Sequence, residues 1–144
     1  MNEPSYTVDV VDWLENEADI RSVRDAVFVN ELGIPAELEW DGADPRSLHV
    51  LAHAEDGTPV GTGRLLPSGQ IGRMAVLPEW RGSGVGTTML ETLLAAARDA
   101  GMTEMWLHAQ LSVVDFYREA GFTAVGNSFL SAGIPHQKMV LTLK

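Results

Sequence analysis

Apolar and polar positions are distributed along the chain so that its elements can be read one after another. Residues 6–11, Tyr-Thr-Val-Asp-Val-Val, are rich in β-branched side chains and predict a first strand. Ile20, Val23 and Val27 recur at the spacing of one helix face, which predicts a helix capped by Asn16 or Asp19 and running to Leu32. Gly33 and Pro35 stop it. After an irregular stretch over 34–47, residues 48–55 read as a strand and Asp56-Gly57 as a hairpin turn. Residues 60–66 return, and Pro67-Ser68-Gly69 turns the chain into a further strand over 70–77. Val85, Met89, Leu90, Leu93, Leu94, Ala96 and Ala97 then give a helix of about four turns a wide apolar face, which belongs against a sheet. Gly101 closes that helix, and residues 104–110 form a fifth strand. Ser112-Val113-Val114-Asp115 has the form of a capping box opening a short helix to Ala120, ended by Gly121. The last two strands are expected over 122–129 and 136–143, joined by Ser131-Ala132-Gly133-Ile134-Pro135. The outcome is one α/β domain over residues 1–144. Its mixed, mostly antiparallel seven-stranded sheet is flanked by helices, and the long helix is a crossover that demands a parallel pair between strands four and five.

Composition narrows the class. A chain of 144 residues, 45% hydrophobic and 21% charged, is large enough for a proper core. Its most apolar run, 89–97, contains Glu91 and is too short for a membrane span. Met1-Asn2-Glu3-Pro4 lacks the basic and apolar regions of a signal peptide, so a cytoplasmic location is expected. There is no cysteine, hence neither disulfide nor thiolate chemistry. The net charge of −10 disfavours nucleic acid as a partner and favours, through long-range steering, a cationic substrate such as an amine.

Chemistry concentrates between the strand over 70–77 and the helix after it, at Arg81-Gly82-Ser83-Gly84-Val85-Gly86. Glycines here let the backbone bend and approach a ligand, and the first amides of the helix lack internal partners at its positive end. With Arg81 adding a cation beside them, this is a pyrophosphate-binding turn. The Gly-Lys-Ser/Thr ending of a nucleotide-triphosphate loop is absent. The spacing Gly-x-Gly-x-Gly also departs from the dinucleotide fingerprint, and Glu104 opens the next strand rather than closing it.

The pattern Arg-x-x-Gly-x-Gly after a strand ending Val-Leu-Pro resembles motif A of the GNAT superfamily of N-acetyltransferases. Phe116-Tyr117-Arg118-Glu119-Ala120-Gly121-Phe122 resembles a second signature of the same superfamily, an aromatic-Tyr helix closing in Gly-Phe. Val27-Phe28-Val29-Asn30-Glu31, Gly33-Ile34-Pro35, Leu107-His108-Ala109-Gln110 and Ala132-Gly133-Ile134-Pro135-His136 look like one small, single-domain bacterial subfamily. The resemblance implies the GNAT fold, splayed between strands four and five to admit acetyl-CoA, and acetyl transfer to an amine. It implies that the Val76 backbone N–H holds the thioester carbonyl while Met74 and Ala75 line the pantetheine arm. Arg81, Gly82, Ser83, Gly84, Val85 and Gly86 would hold the pyrophosphate, with Phe116 beside them. Tyr117 would protonate the departing thiolate. Many relatives carry Asn where this chain has Gln110, whose longer amide can make the same bonds with a different reach. A homodimer is a habit of the fold.

The general base is open among Glu31, Glu37, Glu39, Asp41, Asp44, His49 and His136, with Glu39 and His136 the two carried forward. A carboxylate could act directly or through water, and a histidine has the best-matched intrinsic pKa. Glu31, Arg64, Arg73 and His108 are candidates for substrate contact, although Arg64 and Arg73 can instead pair with the acidic stretch or be plain surface charge. His49 and His53 lie roughly 13 Å apart along a strand, too far to share one ion, so no metal is expected. Two rival readings stand beside the transferase: a catalytically silent acyl-CoA sensor, and a transferase of a longer acyl group.

Overall fold

The computed structural model describes residues 5–143; the N-terminal tetrapeptide, where no signal sequence is expected, lies outside them. Strand β1 (Tyr6–Val11) leads into helix α1 (Trp13–Arg24), which continues as a π-helical segment (Asp25–Glu31). The helix starts earlier than expected. Its cap is Asp12, whose carboxylate accepts from the Glu15 N–H at 2.8 Å, while Asn16 donates back to the Asp12 carbonyl and the Asp19 carboxylate faces His53. Ile20, Val23 and Val27 are buried as the periodicity requires. Gly33, at φ +73°, ends the run.

Residues 34–47 hold a single turn α2 (Ala36–Glu39) and a 3-10 turn (Asp44–Arg46), and then the sheet begins in earnest: β2 (Leu48–Ala54), β3 (Pro59–Leu65) and β4 (Gln70–Val76). A 3-10 turn (Pro78–Trp80) precedes α3 (Val85–Asp99), and β5 (Glu104–Gln110) comes after it. The short helix α4 (Val114–Glu119) is not opened by a capping box. The chain leaves β5 through a 3-10 turn (Leu111–Val113), Val113 takes the cap position without a side-chain bond, and Asp115 pairs with Arg118 at 2.7 Å instead. The final hairpin, β6 (Thr123–Ser131) and β7 (Ile134–Thr142), is tighter than the five-residue link expected. Ala132 and Gly133, at φ +51° and +77°, make a two-residue turn that lets the strands extend.

The seven strands form one sheet in the order β1-β2-β3-β4-β5-β7-β6, antiparallel except for β4 and β5. The apolar stripe of α3 (Val85, Met89, Leu90, Leu93, Leu94, Ala97) is buried against Val50, Ala52, Val60 and Leu65 on one side and Met105, Leu107 and Met139 on the other. Close approach of α3 explains two glycines of β3. A Cβ at Gly61 would meet Met89 Sδ at 3.0 Å, and one at Gly63 would meet Leu93 Cδ1 at 3.2 Å, besides Met74 Sδ of β4 at 2.5 Å.

Two features shape the centre of the sheet. The parallel pair is bridged only at Gln70↔Trp106 and Ile71↔Leu107, after which β4 and β5 part. Beyond Ile71 the β3–β4 register slips: Arg64 faces Gly72 but Thr62 faces Ala75, so β4 carries an extra residue. Arg73 sits in that bulge at φ +50°. A bulge bends its strand, and from this one onward β4 has no bridged partner on β5.

Candidate active site

The glycine turn opens onto the split. Gly82 and Gly84 adopt φ +80° and +93°, conformations that only glycine enters freely, and Gly84 is the N-cap of α3. No side chain caps this helix, and its first internal bond is Thr88 N–H to the Gly84 carbonyl at 3.0 Å. The amides of Val85, Gly86 and Thr87 therefore stand at the helix start with no partner within the helix. Ser83 turns inward, its hydroxyl donating to the Trp80 carbonyl. Gly86 passes close to Phe116, whose ring would lie 3.5 Å from a Cβ there. The side chain of Arg81 reaches sideways. Its Nε donates to the Val76 carbonyl at 2.9 Å, and Nη1 and Nη2 donate to the two carboxylate oxygens of Glu31 at 2.7 Å each. The bond from Arg81 holds the Glu31 carboxyl below the ordinary glutamate range.

Strand alternation fixes what β4 shows to the split. Leu77 N–H donates to the Val60 carbonyl on β3 at 2.9 Å, so the N–H and carbonyl of Val76 point the other way, toward β5. Past Ile71 no β5 partner meets them. Met74 faces α3, and Ala75 is buried on the opposite face with Val23, Val27 and Phe28. Gln110 ends β5 across the split, half-buried and in register with His136 of β7. Tyr117, on α4, is buried with 7% of its surface exposed, edge-on to Phe116 at 5.0 Å and to Phe122 at 5.8 Å. Burial pushes its phenol well above the ordinary tyrosine value. A groove of about 410 Å³ lies between α3 and α4, lined by Thr87, Leu90, Glu91, Leu94, Phe116 and Glu119. No single motif marks that groove in the sequence, since its walls come from two helices that only the fold brings together.

The acidic stretch is only partly solvated, with Glu37 and Asp41 exposed. Glu39 and Asp44 are each 3% exposed, and the buried guanidinium of Arg24 bonds both, at 2.6 and 2.8 Å. Arg64 forks onto Asp41 at 2.9 Å through both Nη atoms and also reaches Asp44 at 3.2 Å. Arg73 completes the cluster on Glu39 and Asp41, each at 3.3 Å. Burial raises the Glu39 carboxyl. Hydrogen bonding from Arg64 holds Asp41 far below the usual carboxylate range, and for Asp44 the arginines outweigh the opposing effect of burial. His49, buried beside them, donates from Nε2 to the Asp44 carbonyl at 3.0 Å, and burial lowers its pKa. Arg64 and Arg73 are thus brought to the acidic stretch. Arg24 was not singled out from the sequence, although it sits on the stripe of Ile20 and Val27, an unusual place for a cation.

On the other side of Gln110 a ring cluster covers the outer strands. Exposed His108 meets Trp106 at 5.4 Å and Phe129 at 4.9 Å, and His136 stacks on Phe129 at 5.9 Å. Burial, then the charges of His136 and Lys138, lower His108. His136 Nδ1 lies 2.7 Å from the Ile134 carbonyl, which can only accept, so Nδ1 carries the proton and Nε2 keeps its lone pair. Glu37 is exposed on α2. Among the described residues, no three His, Asp or Glu converge as metal ligands, and no helix is long and apolar enough to cross a membrane.

Sheet order, the split at its parallel pair and the crossover helix starting in a glycine turn make the architecture that the sequence resemblance implies. Comparison with known proteins carries this to a family. The model of the GNAT acetyltransferase domain matches residues 22–143. The uncharacterized N-acetyltransferase YjcF of Bacillus subtilis is 37% identical over 134 residues, 88% of this chain and 94% of the relative. Among solved structures, an acyl-CoA N-acyltransferase from Pseudomonas aeruginosa superposes with a TM-score of 0.81 at 30% identity, covering 95% of this chain and 98% of that one. Escherichia coli ElaA superposes with a TM-score of 0.83 at 26% identity, covering 94% and 99%. The chain belongs to the GNAT acetyltransferases, enzymes that pass an acyl group from acyl-CoA to an acceptor.

Proposed function

We propose that this protein is an N-acetyltransferase that moves the acetyl group of acetyl-CoA to a primary amine by direct attack in a ternary complex. The observation that carries the reading is the continuity between the open start of α3 and the split, with the Val76 N–H aimed into it. The turn from Arg81 through Gly82, Ser83, Gly84 and Val85 to Gly86 seats the pyrophosphate on backbone amides. From there the pantetheine arm runs between Met74, Ala75 and Val76 on one strand and Gln110 on the other. The nucleotide end leaves past Phe116 into the groove between α3 and α4.

In the reaction the amine nitrogen forms a bond to the carbonyl carbon, and the oxyanion is held by the Val76 N–H. Collapse breaks the C–S bond, and Tyr117 donates its proton to the leaving sulfur. The proton released by the amine goes to His136 Nε2, directly or through water. Glu39 is the weaker base, because its Oε2 is already shared by Arg24 and Arg73. With Arg64 and Arg73 held by carboxylates, His108 is the substrate contact best placed to meet an acceptor arriving from the open face.

Calorimetric titration with acetyl-CoA tests the donor site. Binding is expected with a Kd on the order of micromolar. Gly84→Trp should abolish it, because φ +93° and the Tyr6 hydroxyl 3.2 Å from a Cβ leave no room for a side chain. An amine panel read by thiol release then tests transfer, on a chain with no thiol of its own. Comparing acetyl- with succinyl-CoA fixes the acyl length. No binding of acetyl-CoA to the wild-type protein would sink the proposal.

A further inference from the structure

We infer that Arg81 is a positioning residue: a strut, footed on Glu31, that fixes the peptide bearing the oxyanion donor. The inference rests on the donor site proposed for this cleft. All three guanidinium nitrogens are engaged, Nε with the Val76 carbonyl and the two Nη atoms with Glu31. The peptide plane between Val76 and Leu77 is therefore gripped at both ends. Its carbonyl is held by Arg81 from the side of the split, and its N–H by the Val60 carbonyl from β3. The Val76 N–H belongs to the plane immediately before, one Cα away. With its neighbouring plane immobilised, that donor cannot swing out of the split. Past Ile71 nothing on β5 would otherwise hold this end of β4.

The foot of the strut is built by an unusual backbone. Glu31 is the last residue of the π-helical segment, where Leu32 N–H bonds the Val27 carbonyl, five residues back, at 3.0 Å. A π turn takes up an extra residue and rotates the side chains beyond it by roughly 100° relative to a continuing α-helix. Such segments are less favourable than α-helix, and this one ends with its carboxylate on Arg81. Stability does not account for the pair. The side chains are 44% and 35% exposed, and exposed ion pairs contribute little to folding. What the pair holds is the wall of the cleft.

Carbonyl-13C acetyl-CoA is the probe, with its Kd from calorimetry and its bound carbonyl stretch from infrared difference spectra. A hydrogen bond from Val76 lowers that frequency, so the wild-type band should lie below that of the free thioester. Arg81→Lys keeps the charge but loses the fork. The band should recover about half or more of the difference toward free acetyl-CoA, while Kd stays within about threefold of wild type. Glu31→Gln should move the band part of the way at unchanged Kd, and Glu17→Gln, which breaks the remote exposed pair with Arg21, should move neither. If Arg81→Lys weakens binding by about tenfold with the band in place, the guanidinium belongs to the pyrophosphate and the strut is wrong. An unmoved band at unchanged Kd also overturns it, as does Glu31→Gln tightening acetyl-CoA by about tenfold, the mark of a competing anion. Failure of the wild-type protein to bind overturns the donor site itself, and the strut with it; the first titration distinguishes that case.

Discussion

Tyr117 is a side chain whose packing and proposed chemistry can be separated. Phe116 and Phe122 hold the ring, and among the described residues its hydroxyl has no hydrogen-bond partner. Tyr117→Phe should therefore leave the thermal midpoint and the acetyl-CoA Kd nearly unchanged and lower kcat by about 10²-fold or more, the worth of a lost general acid. Steady-state kinetics beside a calorimetric titration checks both halves; an unchanged kcat would remove Tyr117 as the general acid, and a silent sensor would show no turnover in either protein. The pH dependence has a definite sign. Because burial raises the phenol, the folded state keeps the proton, and this group's stability contribution is full below the ordinary tyrosine value of about 10 and is lost as pH rises beyond it. The kcat profile should show no alkaline limb from Tyr117 below that pH.

At the scale of elements, the segment between the π turn and β2 is fastened by charge. Arg24, Arg64 and Arg73 come from a helix and two strands, and Glu39, Asp41 and Asp44 come to them from one short stretch. Removing a central cation leaves buried carboxylates short of a partner. Arg24→Ala should cost about 3–5 kcal/mol, read from urea unfolding at neutral pH. The lowered Asp41 and Asp44 contribute stability that is present above about pH 4 and lost as pH falls through their folded values. Glu39 runs the other way, since its raised carboxyl disfavours the folded state once it ionises. Arg24→Ala, which takes a cation from Asp44, should therefore flatten the acid limb of the wild-type curve.

The same cluster marks where sequence reading stops. Strand periods and glycine turns are local, so β1 and β5 carry the expected boundaries and the turn before α3 lies where the residues place it. Caps depend on the last few degrees of chain entry, and there Asp12 displaced Asn16 and Asp19 while Ser112 went unused. The pairing of Arg64 and Arg73 with the acidic stretch was one of three readings open in the sequence, beside substrate contact and plain surface charge. The buried Arg24, the π turn and the strut were out of reach, because each depends on residues brought together only by tertiary folding. Glu31 and Arg81, 50 positions apart, share no pattern that periodicity could reveal.

Across the whole molecule, the sheet is two sheets for half its depth. β1–β4 and β5–β7 are joined by two residue pairs and by the core under α3. A donor seated between them would touch both. Acetyl-CoA at about a hundred times its Kd should stabilise the folded state by about 2.7 kcal/mol, enough to raise the thermal midpoint of a domain this size by roughly 5–10 °C. Thermal scans across a ligand series would show it, and a midpoint that ignores acetyl-CoA would mean that the split is not bridged. The open seam has a further consequence in a living cell. Partial opening is where proteases find a substrate, and small changes in stability alter the lifetime of a protein several-fold. If the donor bridges the seam as proposed, this enzyme would be rationed by its own cosubstrate: with the acyl donor scarce, the empty molecules would be degraded first, and catalytic capacity would shrink with the supply.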